Sequence, residues 1–287
     1  MRYLVHTRDE LGESIGVRLS EEIRRFDIRA EIEHFKQKDD TIRELKNGRF
    51  DLFVEIGSKV ERRYTNAAKK AGAKRCFVMQ SATNTSRNPN FRDVDLVVTD
   101  FPGVDRDKCY FGNPIMDVVK SCTPVHFSAK EDHLQVAVLV EPNTSGALQN
   151  ALSGLNLDHV QLRQIDLAHN LESALPVILE SNAAIVTGNI GELVCLQLNC
   201  PAIKVNRHGL FIKDKSSLTN ELLQREAIQV LGQTKPQLIT DSILKILNDH
   251  NYCAGVLQDF QEAKDVLGTQ PAIRDMARYL VDWLEES

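Results

Sequence analysis

The sequence predicts an α/β protein built from two doubly wound, Rossmann-like domains, and three observations predict it. Short apolar runs alternate with amphipathic helical patterns, the signature of βαβ units and of a parallel sheet covered on both faces. The length of 287 residues exceeds one ordinary compact domain and suits two, each able to bury its own core. The alternation also restarts after the polar, proline-containing stretch 121–132, which reads as a linker. The expected domains are therefore 1–122 and 133–287.

Taken in order, the first domain opens on a strand at 3–6, followed by a helix with Leu11, Ile15, Leu19 and Ile23 at four-residue spacing. A strand at 28–32, a charged helix near 41–46, a strand at 52–56, a basic helix at 60–71 and strands at 76–79 and 95–99 continue the series. A short strand near 109–111 and a helix at 114–119 finish it. The second domain reads as a strand at 134–140, a helix after Thr144-Ser145-Gly146, a strand at 160–165 and a helix near 171–179. A strand at 184–186, a helix at 190–198 and a strand at 202–205 follow. Four periodic segments then read as helices, at 218–231, 236–247, 253–267 and 273–284. The last carries Ala272, Ile273, Met276, Leu280 and Trp283 on one face. That face suits packing back onto the first domain, and an exposed Trp283 would suit a homodimer contact.

Composition narrows the function classes. A formal net charge of -5 disfavours binding to a nucleic-acid backbone. The six cysteines form no CxxC pair and sit mostly in apolar runs, so they read as buried thiols of a reducing compartment. The eight histidines show no ligand spacing, and no metal is expected. No leader pattern and no apolar stretch near about 18 residues is present, so the expectation is a cytoplasmic protein, with a peripheral membrane contact left open.

In parallel sheets, ligands bind beyond the carboxyl ends of strands, where helix N-termini present unpaired N–H groups. The loop Thr187-Gly188-Asn189-Ile190-Gly191-Glu192 lies between a predicted strand and a predicted helix. There a glycine admits a phosphate to the backbone, and Thr187 or Asn189 can cap the helix; a plain capped turn fits equally. Glu141-Pro142-Asn143-Thr144-Ser145-Gly146 offers a second helix start. Gly12 and Gly16 strip one face of the first helix, for packing or for a ligand. Acid–base candidates are Asp9, Glu10, Glu13, Glu55 and Asp100, all near predicted strand ends. His6 reads as a satisfied structural histidine. No GxSxG elbow and no Cys–His arrangement is present.

Several segments resemble the lipid-A-disaccharide synthase group of glycosyltransferases. Ser217-Leu218-Thr219-Asn220-Glu221-Leu222-Leu223-Gln224-Arg225-Glu226, followed by Gln233, is similar to that family's S-L-P-N-L-L-x-x-R-E stretch and its later glutamine. Cys200-Pro201-Ala202-Ile203-Lys204-Val205 is similar to its C-P-M-V-V strand. Gly12-Glu13-Ser14-Ile15-Gly16 resembles its G-D-x-x-G helix start, and Phe111-Gly112-Asn113-Pro114-Ile115-Met116-Asp117 its F-x-G-H-P-x-x-D. The resemblance implies a GT-B architecture with the ligand in the cleft between the domains. It implies a nucleotide diphosphate sugar, most simply UDP-linked, as donor substrate rather than cofactor, held by Thr187, Gly188, Asn189, Asn220, Glu226 and Gln233. The diphosphate would rest near Gly188 and Ser145, with Arg207 or Arg225 neutralising charge. The acceptor is unspecified, with a lipid-linked one left open.

Departures fall on the chemistry. The family's I-D-x-P-D-F-N segment, which carries its base, corresponds to Val54-Glu55-Ile56-Gly57-Ser58-Lys59, with an acid only at its first position. Its tryptophan loop and the histidine of G-H-P are missing. Glu13 and Glu55 are therefore the candidate bases. Besides a hexosyltransferase, two other functions stay open: a non-catalytic binding or assembly protein of the same fold, and a sugar-nucleotide epimerase or hydrolase.

Overall fold

The computed structural model describes residues 1–57, 59–79, 91, 93–102, 109–122, 134–141, 146–155, 157, 159–167, 171–205, 217–232, 235–268 and 271–286. The chain divides into two compact units, Met1–Val118 with Leu267–Ser287, and Val119–Val266.

In the first unit, β1 (Arg2–Thr7), α1 (Glu10–Phe26), β2 (Glu31–Phe35), α2 (Lys38–Asn47), β3 (Leu52–Gly57), α3 (Arg62–Ala71), β4 (Lys74–Met79), β5 (Leu96–Thr99), β6 (Cys109–Tyr110) and α4 (Pro114–Cys122) succeed one another. The sheet is parallel throughout, in the order β2-β1-β3-β4-β5-β6. β3 is buried at all six positions, which is why it reads as an apolar run with a single charge, Glu55, within it. The structure moves the second strand from the expected 28–32 to Glu31–Phe35. Ile28 is 91% exposed, and β2 is an edge strand in which polar and apolar residues mix, so it carries no contiguous apolar run.

The second unit contains β7 (Leu134–Val140), α5 (Gly146–Ser153), β8 (Val160–Asp166), α6 (Leu171–Glu180), β9 (Ala183–Val186), α7 (Asn189–Leu198), β10 (Ala202–Val205), α8 (Leu218–Leu223), β11 (Val230–Leu231), α9 (Pro236–Asn248) and α10 (His250–Leu267). Its parallel sheet runs β11-β10-β9-β7-β8. The expected helix 218–231 stops at Leu223. Gln224 turns left-handed at φ 54°, and the chain re-enters the sheet as β11.

A buried polar brace ties three of these elements together. Glu192 of α7 is fully buried, and its Oε1 accepts from Ser217 Oγ (2.5 Å), Thr219 N (2.6 Å) and Thr219 Oγ1 (2.7 Å). Its Oε2 faces Lys204 Nζ of β10 at 3.0 Å, and Lys204 is itself 3% exposed. Four donors on one carboxylate satisfy a charge that would otherwise be too costly to bury.

The expected second domain, 133–287, included every terminal helix. Instead α11 (Ala272–Glu285) packs on α1 in the first unit, burying Ile273, Met276, Ala277, Leu280 and Val281. Asp117 Oδ2 accepts from Ile273 N at the start of α11 (2.9 Å), and Phe111 stacks obliquely on Tyr279 at 5.2 Å. Trp283 is half-buried beneath the Lys74 ammonium, 4.5 Å from its ring centroid. The physical reason is α1: its Leu11, Ile15, Leu19 and Ile23 stripe needs cover beyond the sheet. Among the described residues, no helix is long and apolar enough to cross a membrane.

Leu280→Ala is expected to cost about 2–5 kcal/mol in urea unfolding, because it opens a cavity in the α1–α11 contact. Ile28→Ser should lie within about 0.5 kcal/mol of wild type. Glu192→Leu, which strands the Lys204 charge and the Ser217 and Thr219 donors, is expected to cost about 3–5 kcal/mol by the same measurement.

Candidate functional site

The central strands of both sheets are buried on both faces, so polar groups converge best where those strands end. In each sheet the first strand has its successor on one side and the third strand on the other. This places the switch points between β1 and β3 and between β7 and β9. Loops diverge from the carboxyl ends of strands at such a point and leave a crevice.

At the first switch point, the residue after β1 is Arg8. Its guanidinium pairs with Glu55 of β3, lies 3.4 Å from Glu61, and donates to the Lys59 carbonyl at 3.0 Å. Glu55 is 1% exposed and also accepts from Glu61 N at 3.3 Å. Burial pushes its carboxyl up to about 7 from an ordinary 4.5, against the opposing pull of Arg8 and of the Glu61 N–H. A carboxyl poised there can give or take a proton near neutrality. Arg8 was absent from the expected site; its sequence signal is a cation placed directly after the first strand.

The other first-unit candidates are engaged elsewhere or serve the fold. Glu13, in the first turn of α1, is half-exposed and ion-paired with Lys36 of the loop after β2. Asp9 caps α1 by accepting from Gly12 N at 2.7 Å. A β-carbon on Gly16 would meet Thr7 Cγ2 at 3.0 Å and Val5 Cγ1 at 3.2 Å, so Gly16 serves helix-on-sheet packing. His6 is buried against α2 and α3, with Nδ1 2.9 Å from Thr41 Oγ1 and its ring 4.3 Å from that of Tyr64. Burial and the nearby Arg8 charge lower it to about 4, which keeps it neutral.

At the second switch point lie Thr187, Gly188 and Asn189, at the end of β9 and the start of α7. Neither Thr187 nor Asn189 caps α7. The N-cap is Gly188, which makes no side-chain cap bond. Thr187 Oγ1 accepts from Glu141 N at 2.9 Å, locking the end of β7 to the end of β9. Asn189 Oδ1 accepts from Lys204 Nζ. The cap comes from across the sheet: Glu141 Oε1 accepts from Gly191 N at 2.8 Å, and the Ile190 N–H also bonds this carboxylate. The nearest atoms that a β-carbon on Gly188 would meet all belong to that carboxylate, at collision distance. A side chain at 188 would have to push that carboxyl group aside, so the close approach that this glycine admits is made by the chain's own glutamate. Glu141 and Lys204, both outside the expected site, complete the cluster with Glu192.

Asn220 follows the N-cap of α8 and clamps the turn after it. Its Oδ1 accepts from Ala227 N (2.7 Å) and Ile228 N (2.8 Å), and its Nδ2 donates to the Ile228 carbonyl (2.9 Å). Arg225 is engaged by Asp259 and Glu262 of α10, with hydrogen bonds of 2.6 and 2.5 Å that raise its pKa further. Glu226 is exposed. Ser145, Arg207 and Gln233 lie outside the described residues.

No protein-family model matches the chain, and no curated protein matches it in sequence. Solved structures do match in fold. The MnaA protein of S. aureus, solved with UDP, aligns at a TM-score of 0.71 and 11% identity, over 99% of this chain and 97% of the other. The spinosyn forosaminyltransferase SpnP aligns at 0.66 and 11%, over 98% and 99%. The UDP-GlcNAc 2-epimerase of Methanocaldococcus jannaschii, solved with UDP-GlcNAc and UDP, aligns at 0.65 and 10%, over 98% and 100%. The group is broader than the lipid-A-disaccharide synthases suggested by the motifs. What the likeness establishes is the fold: two parallel-sheet α/β domains of GT-B type, with a helical C-terminal segment.

Proposed function

We propose that this chain binds a UDP-linked sugar and transfers the sugar to an acceptor hydroxyl. The observation that carries this reading is the α7 N-terminus, where two backbone N–H groups at a sheet switch point converge on a carboxyl oxygen. Such a terminus favours a phosphate for the same reason that it favours a carboxylate: unpaired N–H groups and the positive end of the helix dipole. Two of the three fold neighbours described were solved with UDP, which makes a uridine diphosphate the natural donor to test.

In this reading Glu55 is the proton acceptor of the first unit and Arg8 holds it in place. Removing the hydroxyl proton as the sugar–phosphate bond breaks calls for a base matched to neutral pH. A second reading is epimerisation or hydrolysis of the donor without an acceptor. It is favoured by the alignment with the epimerase solved with UDP-GlcNAc and UDP.

The deciding experiment is a thermal-shift and calorimetric screen over nucleoside diphosphates and their sugars, followed by turnover of any sugar that binds. UDP is expected to raise the melting temperature. Release of UDP only when an acceptor is supplied supports transfer, and turnover of the donor alone supports the second reading. Binding without turnover leaves a non-catalytic binding protein, and no shift with any nucleotide ends the proposal.

Glu55→Gln is expected to lower the turnover rate by about two to four orders of magnitude and to remove a rate limb near pH 7. Stability gives a parallel readout. Because the folded carboxyl sits above its ordinary value, its contribution is complete below about 4.5 and is lost as pH rises through about 7. His6, lowered on folding, acts in the opposite sense between about 4 and 6.5. The difference between wild type and Glu55→Gln in urea unfolding at pH 4.5 and 8 isolates Glu55, with an expected size on the order of 2–3 kcal/mol.

A further inference from the structure

Helices α2 and α3 lie side by side, and between them runs a groove of about 340 Å³, at the lower end of the ~300–1,000 Å³ range of ligand pockets. Its floor is apolar: Ile42 and Leu45 come from α2, Ala67 and Ala71 from α3, and Leu45 and Ala67 belong to the core of the unit. Its rim is cationic, with Lys46 of α2 and Arg63 and Lys70 of α3 all exposed. We propose that this groove binds an anionic amphiphile, a molecule that lays an alkyl chain along the floor and sets a phosphate against the rim. Such a site is independent of the nucleotide reading above.

Charge, helix dipole and shape each point to that ligand. The chain has a net charge of -5, yet α3 carries Arg62, Arg63, Lys69 and Lys70 without an acid, and no acidic side chain lines the groove. Asp40 and Glu44 of α2 are taken by Arg43. Among the described residues, Lys46, Arg63 and Lys70 have no ion pair and no side-chain hydrogen bond, so three like charges gather around one cleft and an anion placed among them relieves their repulsion. The helix dipole suits Lys46 and Lys70, which sit in the last turns of their helices, but it opposes Arg63 in the first turn of α3. The fold gains nothing from a cation there, whereas a bound phosphate does. On α3, Arg63, Ala67 and Ala71 form one four-residue row and Asn66 and Lys70 the next, so polar groups flank the apolar floor over about 12 Å of helix. Leu45 and Ala67 are buried beneath the exposed rim, so a single chain can enter where a flat membrane surface would meet only the cations.

The test combines a ligand-free arm and a ligand arm. In the first, Arg63→Glu should raise the melting temperature by about 1–4 °C, because a carboxylate replaces a cation at a helix N-terminus. In the second, titration calorimetry with decyl phosphate, kept monomeric, should show binding to wild type. Lys70→Gln should weaken it about threefold to tenfold, and Arg63→Glu at least about tenfold. Ala71→Leu, which fills the floor, should weaken it at least about tenfold. Inorganic phosphate and decyl maltoside, each supplying one half of the ligand, should bind wild type at least about tenfold more weakly than decyl phosphate.

A lowered melting temperature in Arg63→Glu would show that the arginine serves the fold and would overturn the inference. So would failure of wild type to bind decyl phosphate, equal binding of either half-ligand, or binding that all three variants leave unchanged. Binding to phosphatidylglycerol vesicles with none to the monomeric amphiphile would overturn it in favour of a membrane contact. Weakened decyl phosphate binding in the variants, with their response to UDP the same as that of wild type, supports it and leaves the nucleotide reading to its own test.

Discussion

A strand buried on both faces holds a charge only where a partner satisfies it, and that constraint organises this protein. Every ionisable group of interest lies at or near the carboxyl ends of strands: Arg8 and Glu55 beside β1 and β3, Glu141 and Lys204 beside β7 and β10. Each is satisfied by a partner from a neighbouring strand end or helix start, because a lone buried charge would cost more than a typical domain's net stability can bear. The two units solve the problem in the same topological place with different chemistry. The first pairs a guanidinium with a carboxyl. The second sets a carboxylate on a helix N-terminus and a second carboxylate beneath it on an ammonium.

The fold was legible because doubly covered strands leave contiguous apolar runs, as at Leu134–Val140, where the expected and observed limits coincide. It was misread where that rule weakens. The edge strand β2 is a mixture of Glu31, Ile32, Glu33, His34 and Phe35, and the apolar signal at Ile28 belongs to a residue that faces water. The segment after Leu218 keeps helical periodicity past Gln224, but nothing in that periodicity announces the left-handed turn or the return to the sheet.

The candidate site was legible in its glycine and hidden in its partner. Gly188 stood out as a residue that must let something approach closely; that the something is Glu141 depends on β7 and β9 being neighbours, which local pattern does not encode. Glu55 is visible as the one charge within β3, while its partner Arg8 reads as an ordinary loop cation. Asn220, taken from a motif, proved to be occupied with closing a turn, and Arg225 with the acids of α10. Motif positions report which residues a fold retains, and only geometry separates those that hold the chain from those left to hold a ligand.

The return of α11 to α1 has a consequence for biosynthesis. The first unit is discontinuous, with the whole of the second inserted between Val118 and Leu267. During translation α1 is made well before α11 and lacks that cover until α11 has emerged, whereas the described strands of the second unit are all made before α11. A nascent chain that has emerged through Val266 but not yet through α11 therefore presents a complete second unit joined to a first unit whose α1 still lacks that cover.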